Sequence, residues 1–346
     1  MPSFAELRLS LALVALASGP QTAVREGTWI SPQEIAPLPT EGPAWGALRA
    51  AASAPLGAPD LSAPDDDTDV LVLARALVYA RTGDEHCRAE VLVALATVIG
   101  SERGGTVLAL ARNLPGYVIA AELVAPSAAL ECRFRAWLSC LVELPLRGGT
   151  LRSVHERRPN NWGTHAGAAR AVIARHLGDA RELARCAQVF RGWLGERSAH
   201  DGFVFGDRAW QADPTRPLAV NPRGATRDGH SLDGVLPDDQ RRGGGFTWPP
   251  PRENYVYEAL QGALLQAMVL SRAGYPAWEW GERALLRAAL WLAREADYPA
   301  EGDDTWQPHV LNHVYGTRLR APLPARPGKS VGWTDWTLAG TRDEGD

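Results

Sequence analysis

Stretches with the hydrophobic pattern of α-helices follow one another along most of this chain, and this pattern constrains the fold more than any other feature. Glycine-containing breaks such as TGD at 82–84 and LGD at 177–179 separate them, and breaks of this kind join antiparallel helices in hairpins. The sequence therefore predicts an all-α protein. The predicted helices span residues 69–82, 85–99, 106–124 with an interruption near Pro115 and Gly116, 128–144, 161–178, 179–195, 254–273 and 278–296.

Alternate helices differ in hydrophobicity. Residues 254–273 are apolar on nearly every side, which predicts a buried helix, whereas residues 278–296 carry arginines between their apolar positions and are predicted to be half exposed. Buried helices that alternate with amphipathic ones predict an incomplete ring of helical hairpins, an (α/α)n toroid. A helical-repeat solenoid is the alternative, but the sequence contains no repeat of fixed length to support it.

Two long irregular stretches, residues 200–252 and 306–336, are rich in aromatic residues. A loop of such length in a compact domain is usually functional or disordered, and aromatic residues argue against disorder. We therefore expect these loops to gather at one end of the helical ring and to form a cleft there.

Composition excludes several classes of protein. The 346 residues are 45% hydrophobic and 22% charged, which is typical of a soluble globular chain. A net charge of −4 provides no electrostatic footprint for nucleic acid, and no apolar run is long enough to span a membrane. None of the four cysteines has the C-x-x-C spacing of a zinc or redox site, so all are expected to be buried thiols, and no metal or cofactor is predicted.

The N-terminal region is predicted to differ from the rest of the chain. Residues 1–23 contain a short apolar run, from Leu9 to Ala17, that is similar to a secretory signal and predicts a secreted or periplasmic protein. Residues 24–64 form an irregular segment rich in Pro, Gly and Ala, with one short helix near 45–52. Residues 65–346 are expected to form a single α/α-toroid domain.

The helix predicted to begin at Asn160 or Asn161 has an unusual first turn. Both asparagines are good capping residues, and Asn161 and His165 share one helical face because they are four residues apart. A carboxamide and an imidazole beside the free N–H groups of a helix start would suit a carboxylate ligand. Taken alone, an asparagine pair before a helix is usually a simple cap, and a single histidine is more often structural than catalytic.

Four motifs in the chain together resemble a known family. NNWGTH at 160–165, DGVLPDDQRR at 233–242, NYVYEALQGAL at 254–264 and WQPHVLNHVYG at 306–316 occur in this order. They resemble the motifs of the alginate lyase family and of related uronate polysaccharide lyases with α/α-toroid folds, and the resemblance covers about residues 65–316. In alginate lyases a histidine directly follows the asparagine pair, whereas Trp162 stands here and His165 lies one turn later. The Asn-Trp pair is similar to the glucuronan, heparin and hyaluronan lyase groups.

The resemblance implies a β-elimination on a uronate-containing glycan. The enzyme removes a weakly acidic proton beside a carboxylate, so that carboxylate must first be neutralised. Asn161 is the candidate neutralising residue, aided by Asn160 and by Arg241 or Arg242. The family implies that a tyrosine and a histidine act as base and acid, and these are expected to be Tyr255 and His165, in either order.

Further side chains are expected to contact the substrate, an acidic polysaccharide. An unperturbed tyrosine has a pKa of about 10, so a tyrosine base needs a positive neighbour; Arg242 or Arg252 could serve. Tyr257 is the second choice for the catalytic tyrosine, although it points elsewhere on the helix. The predicted substrate-binding residues are Asn160, Trp162, Arg241, Arg252, Tyr257, Trp248, His230 and His309. No nucleic-acid or membrane partner is expected.

Two other functions remain open at this stage. A glycoside hydrolase on the same ring would need two facing carboxylates, for which Asp233, Asp238, Asp239 and Glu258 are available. A non-catalytic glycan-binding protein would keep the cleft and the tryptophans, but Tyr255 and His165 would not meet.

Overall fold

The computed structural model describes residues 27–339 and is almost entirely helical. Its described residues form fourteen α-helices and one hairpin of two-residue strands, which confirms the all-α class. The helices are α1 (Pro32–Ile35), α2 (Pro43–Ser53), α3 (Thr68–Thr82), α4 (Glu85–Val98), α5 (Val107–Val124), α6 (Ala128–Leu141), α7 (Leu151–Arg157), α8 (Asn161–Leu177), α9 (Ala180–Trp193), α10 (Pro237–Gln240), α11 (Asn254–Arg272), α12 (Trp280–Arg294), α13 (Gln307–Tyr315) and α14 (Thr334–Thr337). The strands are β1 (Thr226–Arg227) and β2 (His230–Ser231). The possible signal segment, residues 1–23, lies outside the described residues.

The long helices agree with the sequence-based prediction to within a few residues, with one correction. The interruption predicted near Pro115 is wrong, because α5 continues through that proline. At the next position, a Cβ on Gly116 would lie 2.9 Å from the backbone oxygen of Asp69 in α3. The absence of a side chain there lets α5 pack directly on α3. The short helix α2 was predicted, whereas α7 and α13 were not.

The helices that bury the most residues pack on one another in chain order. α3 contacts α5, α5 contacts α8, and α8 contacts α11. These four helices are buried on nearly every side, while α9 and α12 keep polar faces exposed. The succession continues from α11 to α13, then to α14 and α2, and returns to α3.

Side-chain contacts show that α5, α8 and α11 run in the same direction. Near their N-termini, Glu258 of α11 contacts both Arg112 of α5 and His165 of α8. Near their C-termini, His176 of α8 contacts Glu122 of α5 at 3.1 Å. The same end of α11 is held by Arg272, whose Nε donates to the backbone oxygen of Gly27 at 2.8 Å. The three N-termini therefore lie at one end of the protein.

The stretch from residue 200 to residue 252 is mostly irregular, as predicted. It contains the β1–β2 hairpin, the short helix α10 and a 3₁₀ turn at Arg241–Gly243. Buried polar contacts hold it in place: the Asn221 side chain donates to the backbone oxygen of Trp210 at 2.9 Å, and Trp291 of α12 donates to that of Ser231 at 2.8 Å. The β1–β2 hairpin is therefore anchored to α12.

Two further sequence features have a structural outcome. Among the described helices, α5 alone has the length and hydropathy of a membrane span, and most of it is buried inside the protein. The expectation that all cysteines are buried is wrong for two of them, because Cys132 and Cys140 on α6 are exposed.

Candidate functional site

The N-terminus of α8 is capped by a residue distant in sequence. The backbone N–H of Asn161 donates to a carboxylate oxygen of Asp239 at 3.0 Å. Within the described residues, the Asn160 side chain makes no capping hydrogen bond, so its predicted role as the cap is corrected. A carboxylate of the protein itself therefore occupies this helix start, where the sequence predicted a carboxylate ligand.

Burial dominates the electrostatics of this contact. Asp239 has no accessible surface, and this burial raises the pKa of its carboxyl well above the ordinary value, although the hydrogen bond from Asn161 opposes the shift. The Oδ1 atoms of Asn160 and Asn161 are also buried, and neither has a hydrogen-bond partner in the described part of the chain. A buried polar atom without a partner is costly, so a water molecule or a ligand that donates a hydrogen bond would stabilise these oxygens.

Tyr255 and Arg242 form a second contact, at the N-terminus of α11. The Glu253 side chain caps this helix by accepting a hydrogen bond from the Tyr255 backbone N–H at 3.1 Å. Tyr255 is 39% exposed, and the Arg242 guanidinium carbon lies 3.7 Å from the centroid of its ring. Because Asp239 and Arg242 lie in one short turn, that turn joins the N-terminus of α8 to that of α11.

The two predicted arginines of this turn have different environments. Arg241 pairs with Asp238 at 3.0 Å, and Asp238 also accepts the Gly206 backbone N–H at 2.8 Å. Arg242 is exposed and forms no ion pair among residues 27–339. Arg241 is thus positioned to brace the turn, whereas Arg242 can approach a bound anion.

Glu258 lies one helical turn beyond Tyr255 and is the centre of a buried charged cluster. Its carboxylate contacts Arg112 at 3.3 Å and the His165 Nε2 at 3.7 Å. Burial raises the pKa of Glu258, but His165 and Arg112 outweigh burial and leave that pKa below the ordinary value. His165 has no accessible surface, and burial lowers the pKa of its imidazole despite the neighbouring Glu258.

Tyr255 and His165 flank Glu258 without touching each other. No hydrogen bond or ring contact joins them in the described residues. Tyr255 lies one turn before Glu258 on α11, whereas His165 contacts the Glu258 carboxylate from α8. Sequence reasoning missed Arg112. A signal existed, since Arg112 is the one basic residue in a largely apolar helix.

The two tryptophans predicted to bind substrate are already stacked on protein groups. Trp248 lies parallel to His230, with ring centroids 4.1 Å apart. The Arg158 guanidinium carbon lies 4.4 Å from the centroid of Trp162, a half-buried residue beside Asn161. Both tryptophans retain exposed surface.

Three other predicted substrate-binding residues are engaged away from Tyr255. Tyr257 is buried and donates to the Tyr298 backbone oxygen at 2.6 Å, and burial raises the pKa of its phenol. His309 contacts the Pro322 backbone oxygen at 2.9 Å. Arg252 is exposed and pairs with Asp297 at 3.4 Å. These contacts favour structural roles for Tyr257 and His309.

The carboxylates that a glycoside hydrolase would use are committed to other partners. Asp233 pairs with Arg287 at 2.6 Å, Asp238 with Arg241, and Glu258 with Arg112. Asp239 is buried against Asn161. Across residues 27–339, no group of three His, Cys, Asp or Glu side chains is arranged to hold a metal ion.

Comparison with known proteins adds no family assignment. No known protein-family model matches the chain, and no curated protein is significantly similar to it in sequence.

Proposed function

We propose that the protein is a polysaccharide lyase that cleaves a uronate-containing glycan, alginate-like or glucuronan-like, by β-elimination. One observation carries the proposal. The turn at residues 237–243 brings Arg242 over Tyr255 and connects Asp239 to Asn161. Three segments singled out by sequence resemblance, which are separated by many residues in the chain, thus meet at one place.

The arrangement of the helices supports an α/α toroid, the finer fold that we propose. The buried helices α3, α5, α8 and α11 contact each other in succession, and the contacts return to α3 through α13, α14 and α2. The outer helix α9 joins its inner neighbour α8 through a single-glycine break, as in a helical hairpin.

The electrostatics at this end of the protein suit an acidic substrate. The N-termini of α5, α8 and α11 lie together, and each carries the partial positive charge of its helix dipole. Exposed Arg242 adds a full positive charge beside Tyr255. A uronate carboxylate bound here would receive the neutralisation that proton abstraction requires.

The reaction that we propose uses these groups as follows. A base removes the proton from the carbon beside the uronate carboxylate, and the electron pair forms a carbon–carbon double bond as the glycosidic carbon–oxygen bond breaks. The leaving oxygen takes up a proton. Tyr255 is the accessible group for proton transfer, and Arg242 stabilises the negative charge that develops on the carboxylate. Asn161 is buried and acts indirectly, since its bond to Asp239 holds the turn that carries Arg242.

His165 has a different role in this proposal from the one predicted. A polymer cannot reach a side chain without accessible surface, so His165 acts through Glu258 and serves as a positioning residue. Glu258 is itself part of α11 and follows the first turn of this helix, where Tyr255 lies. Tyr255 is then the best candidate for both proton transfers, one after the other.

The remaining features of the proposal rest on sequence. Secretion or a periplasmic location follows from residues 1–23. A soluble acidic polysaccharide is the proposed partner, and the chemistry that we propose uses side chains alone, without a metal or cofactor.

The decisive experiment measures ultraviolet absorbance during incubation with glucuronan, alginate, hyaluronan, heparan sulfate and pectate. We expect absorbance to rise with one or more polymers because elimination creates an unsaturated uronate. Tyr255→Phe should abolish the rise, while Tyr275→Phe, in the turn just beyond the far end of the same helix, should not. New reducing ends without absorbance would indicate hydrolysis. Binding without any cleavage would indicate a glycan-binding protein.

A further inference from the structure

A cavity of about 390 Å³ lies beside the candidate site, and neither sequence resemblance nor the proposed catalytic residues involve it. Its walls come from the end of α9 and from residues 197–219, and they include Arg197, Arg208, Phe203 and Phe205. This volume lies within the range of small-ligand pockets, roughly 300–1,000 Å³.

Backbone contacts fix the cavity at the same end of the protein as Tyr255. Trp193, at the C-terminus of α9, donates to the Pro159 backbone oxygen at 2.8 Å, directly before the Asn160–Asn161 pair. The Val204 backbone N–H donates to the Arg157 backbone oxygen at 2.8 Å. The cavity wall therefore runs alongside the entrance to α8.

The wall also contacts the turn that carries Arg242. The Gly206 backbone N–H donates to Asp238, and a Cβ on Gly206 would lie 2.4 Å from the Arg241 guanidinium. The Arg241 guanidinium therefore packs directly against the backbone at Gly206. Residues 237–243 therefore lie next to Gly206, which directly follows the lining residue Phe205.

The chemistry of the cavity lining is cationic and aromatic. Arg197 and Arg208 donate to the backbone oxygens of Pro217 and Pro214, and neither is paired with a carboxylate in the described part of the chain. Asp201 is the single carboxylate among the residues that line the cavity. Guanidinium groups without carboxylate partners are available to bind an anion.

The apolar part of the lining suits a sugar ring. Phe203 and Phe205 lie in the lining, half buried and 6.3 Å apart between ring centroids. Val204 between them is 62% exposed, although it is hydrophobic. A uronate sugar presents a carboxylate at one edge and an apolar C–H face, and this combination matches guanidinium groups beside aromatic rings.

We infer that this cavity is a distal subsite that binds a uronate residue of the same polymer, beyond the residues held at Tyr255. The inference rests on the proposed function for the identity of the ligand. It predicts that long chains gain affinity from Arg197 and Arg208, whereas the shortest substrates, which do not reach the cavity, gain none.

The test compares two variants in a Tyr255→Phe background, so that the polymer is bound but not consumed. The first carries Arg197→Gln and Arg208→Gln. The matched control carries Arg216→Gln, since Arg216 is exposed on the same loop but does not line the cavity. Calorimetry measures the affinity for each polymer of the panel and for its shortest oligosaccharides, and circular dichroism confirms the fold of each variant.

We expect the double variant to lose at least about tenfold in affinity for the polymer, the effect of one lost charge-assisted hydrogen bond. The affinity of the double variant for short oligosaccharides should stay unchanged. The affinity of the Arg216→Gln control for the polymer should stay unchanged as well. Equal polymer affinity in both variants would overturn the subsite, as would the absence of polymer binding altogether. If the wild-type protein releases no unsaturated product but the Arg197→Gln, Arg208→Gln variant still loses affinity for the polymer, the lyase proposal is rejected and the subsite is kept.

Discussion

Asp239 and Asn161 are joined by a hydrogen bond of 3.0 Å, from the first backbone N–H of α8 to a carboxylate that has no accessible surface. The bond links residues 78 positions apart in the chain. Arg242 lies in the same turn as Asp239, so the position of its guanidinium over Tyr255 depends on this contact. A buried structural bond and an exposed functional contact therefore share one turn.

The first prediction concerns this bond. Asp239→Ala should lower the free energy of unfolding by about 1–3 kcal/mol, because it leaves the buried Asn161 N–H without an acceptor. Asp239→Asn keeps an acceptor oxygen of the same shape and should cost much less. Denaturant unfolding monitored by circular dichroism measures both changes. Equal losses in the two variants would show that the hydrogen bond is not the relevant interaction.

The second prediction separates the two arginines of the turn. Arg242→Ala should lower kcat on the cleaved polymer about 100-fold, the usual effect of removing one stabilising donor, with little change in melting temperature because Arg242 is exposed. Arg241→Ala should lower the melting temperature instead, since Arg241 braces Asp238. Kinetic assays and thermal unfolding of both variants are compared. A melting-temperature loss confined to Arg242→Ala would contradict these assignments.

Local sequence patterns predicted the helices because their signals are local. Gly83 and Gly178 end α3 and α8 in the left-handed conformation, which is the behaviour expected of a glycine after a helix. Pro115 misled the prediction, because tertiary packing of α5 on α3 outweighs the hydrogen bond that the proline removes. The sequence did not predict helix α13, because its polar and aromatic residues interrupt the hydrophobic periodicity of this short helix.

The candidate site was less predictable, since its contacts join distant parts of the chain. The resemblance identified Tyr255 and Arg242, and the structure brings these two together. Nothing in the local sequence indicated that Asp239 would cap α8, or that Arg112 and His165 would meet at Glu258. Pairings of this kind depend on how the helices pack, which hydrophobic periodicity does not encode.

The third prediction tests the close packing of α8 on α11. A Cβ on Gly262 would lie 2.5 Å from the His165 backbone nitrogen, so Gly262→Ala forces the two helices apart. We expect a loss of about 1–3 kcal/mol in the free energy of unfolding. Gly46→Ala is the matched control in exposed α2, where nothing lies within 4 Å, and it should stabilise by about 0.5–1 kcal/mol.

Denaturant unfolding of both glycine variants provides the measurement. The two changes in the free energy of unfolding are expected to have opposite signs. Because the substitution is the same and both residues are helical, this difference follows from the space around each glycine. A neutral or stabilising Gly262→Ala would mean that α8 and α11 are farther apart than the structure has them.

The fourth prediction concerns a buried carboxyl near the same helices. Asp304 accepts hydrogen bonds from the side chains of Gln261 at 2.8 Å and Gln307 at 2.7 Å. Burial raises the pKa of Asp304 from its ordinary value of 3.8 to about 8, although these hydrogen bonds oppose the shift. The folded protein therefore holds a proton on Asp304 that the unfolded chain releases.

The sign of the pH dependence follows from that difference. Below about pH 4 both states carry the proton, and the contribution of Asp304 to stability is complete. Between about pH 4 and pH 8 the unfolded state binds fewer protons, so the free energy of unfolding falls as the pH rises. One unit of pKa difference is worth about 1.4 kcal/mol, so the loss between about pH 5 and pH 8 is on the order of a few kcal/mol.

Asp304→Asn isolates this contribution, because the amide keeps the acceptor oxygen for Gln261 and Gln307 but cannot titrate. We expect the wild-type protein to lose more stability than this variant between about pH 5 and pH 8, since its other titratable groups are shared with the variant and cancel in the difference. Denaturant unfolding at both pH values in both proteins provides the comparison. Identical losses would mean that Asp304 titrates at its ordinary pKa and is not shielded from solvent between α11 and α13.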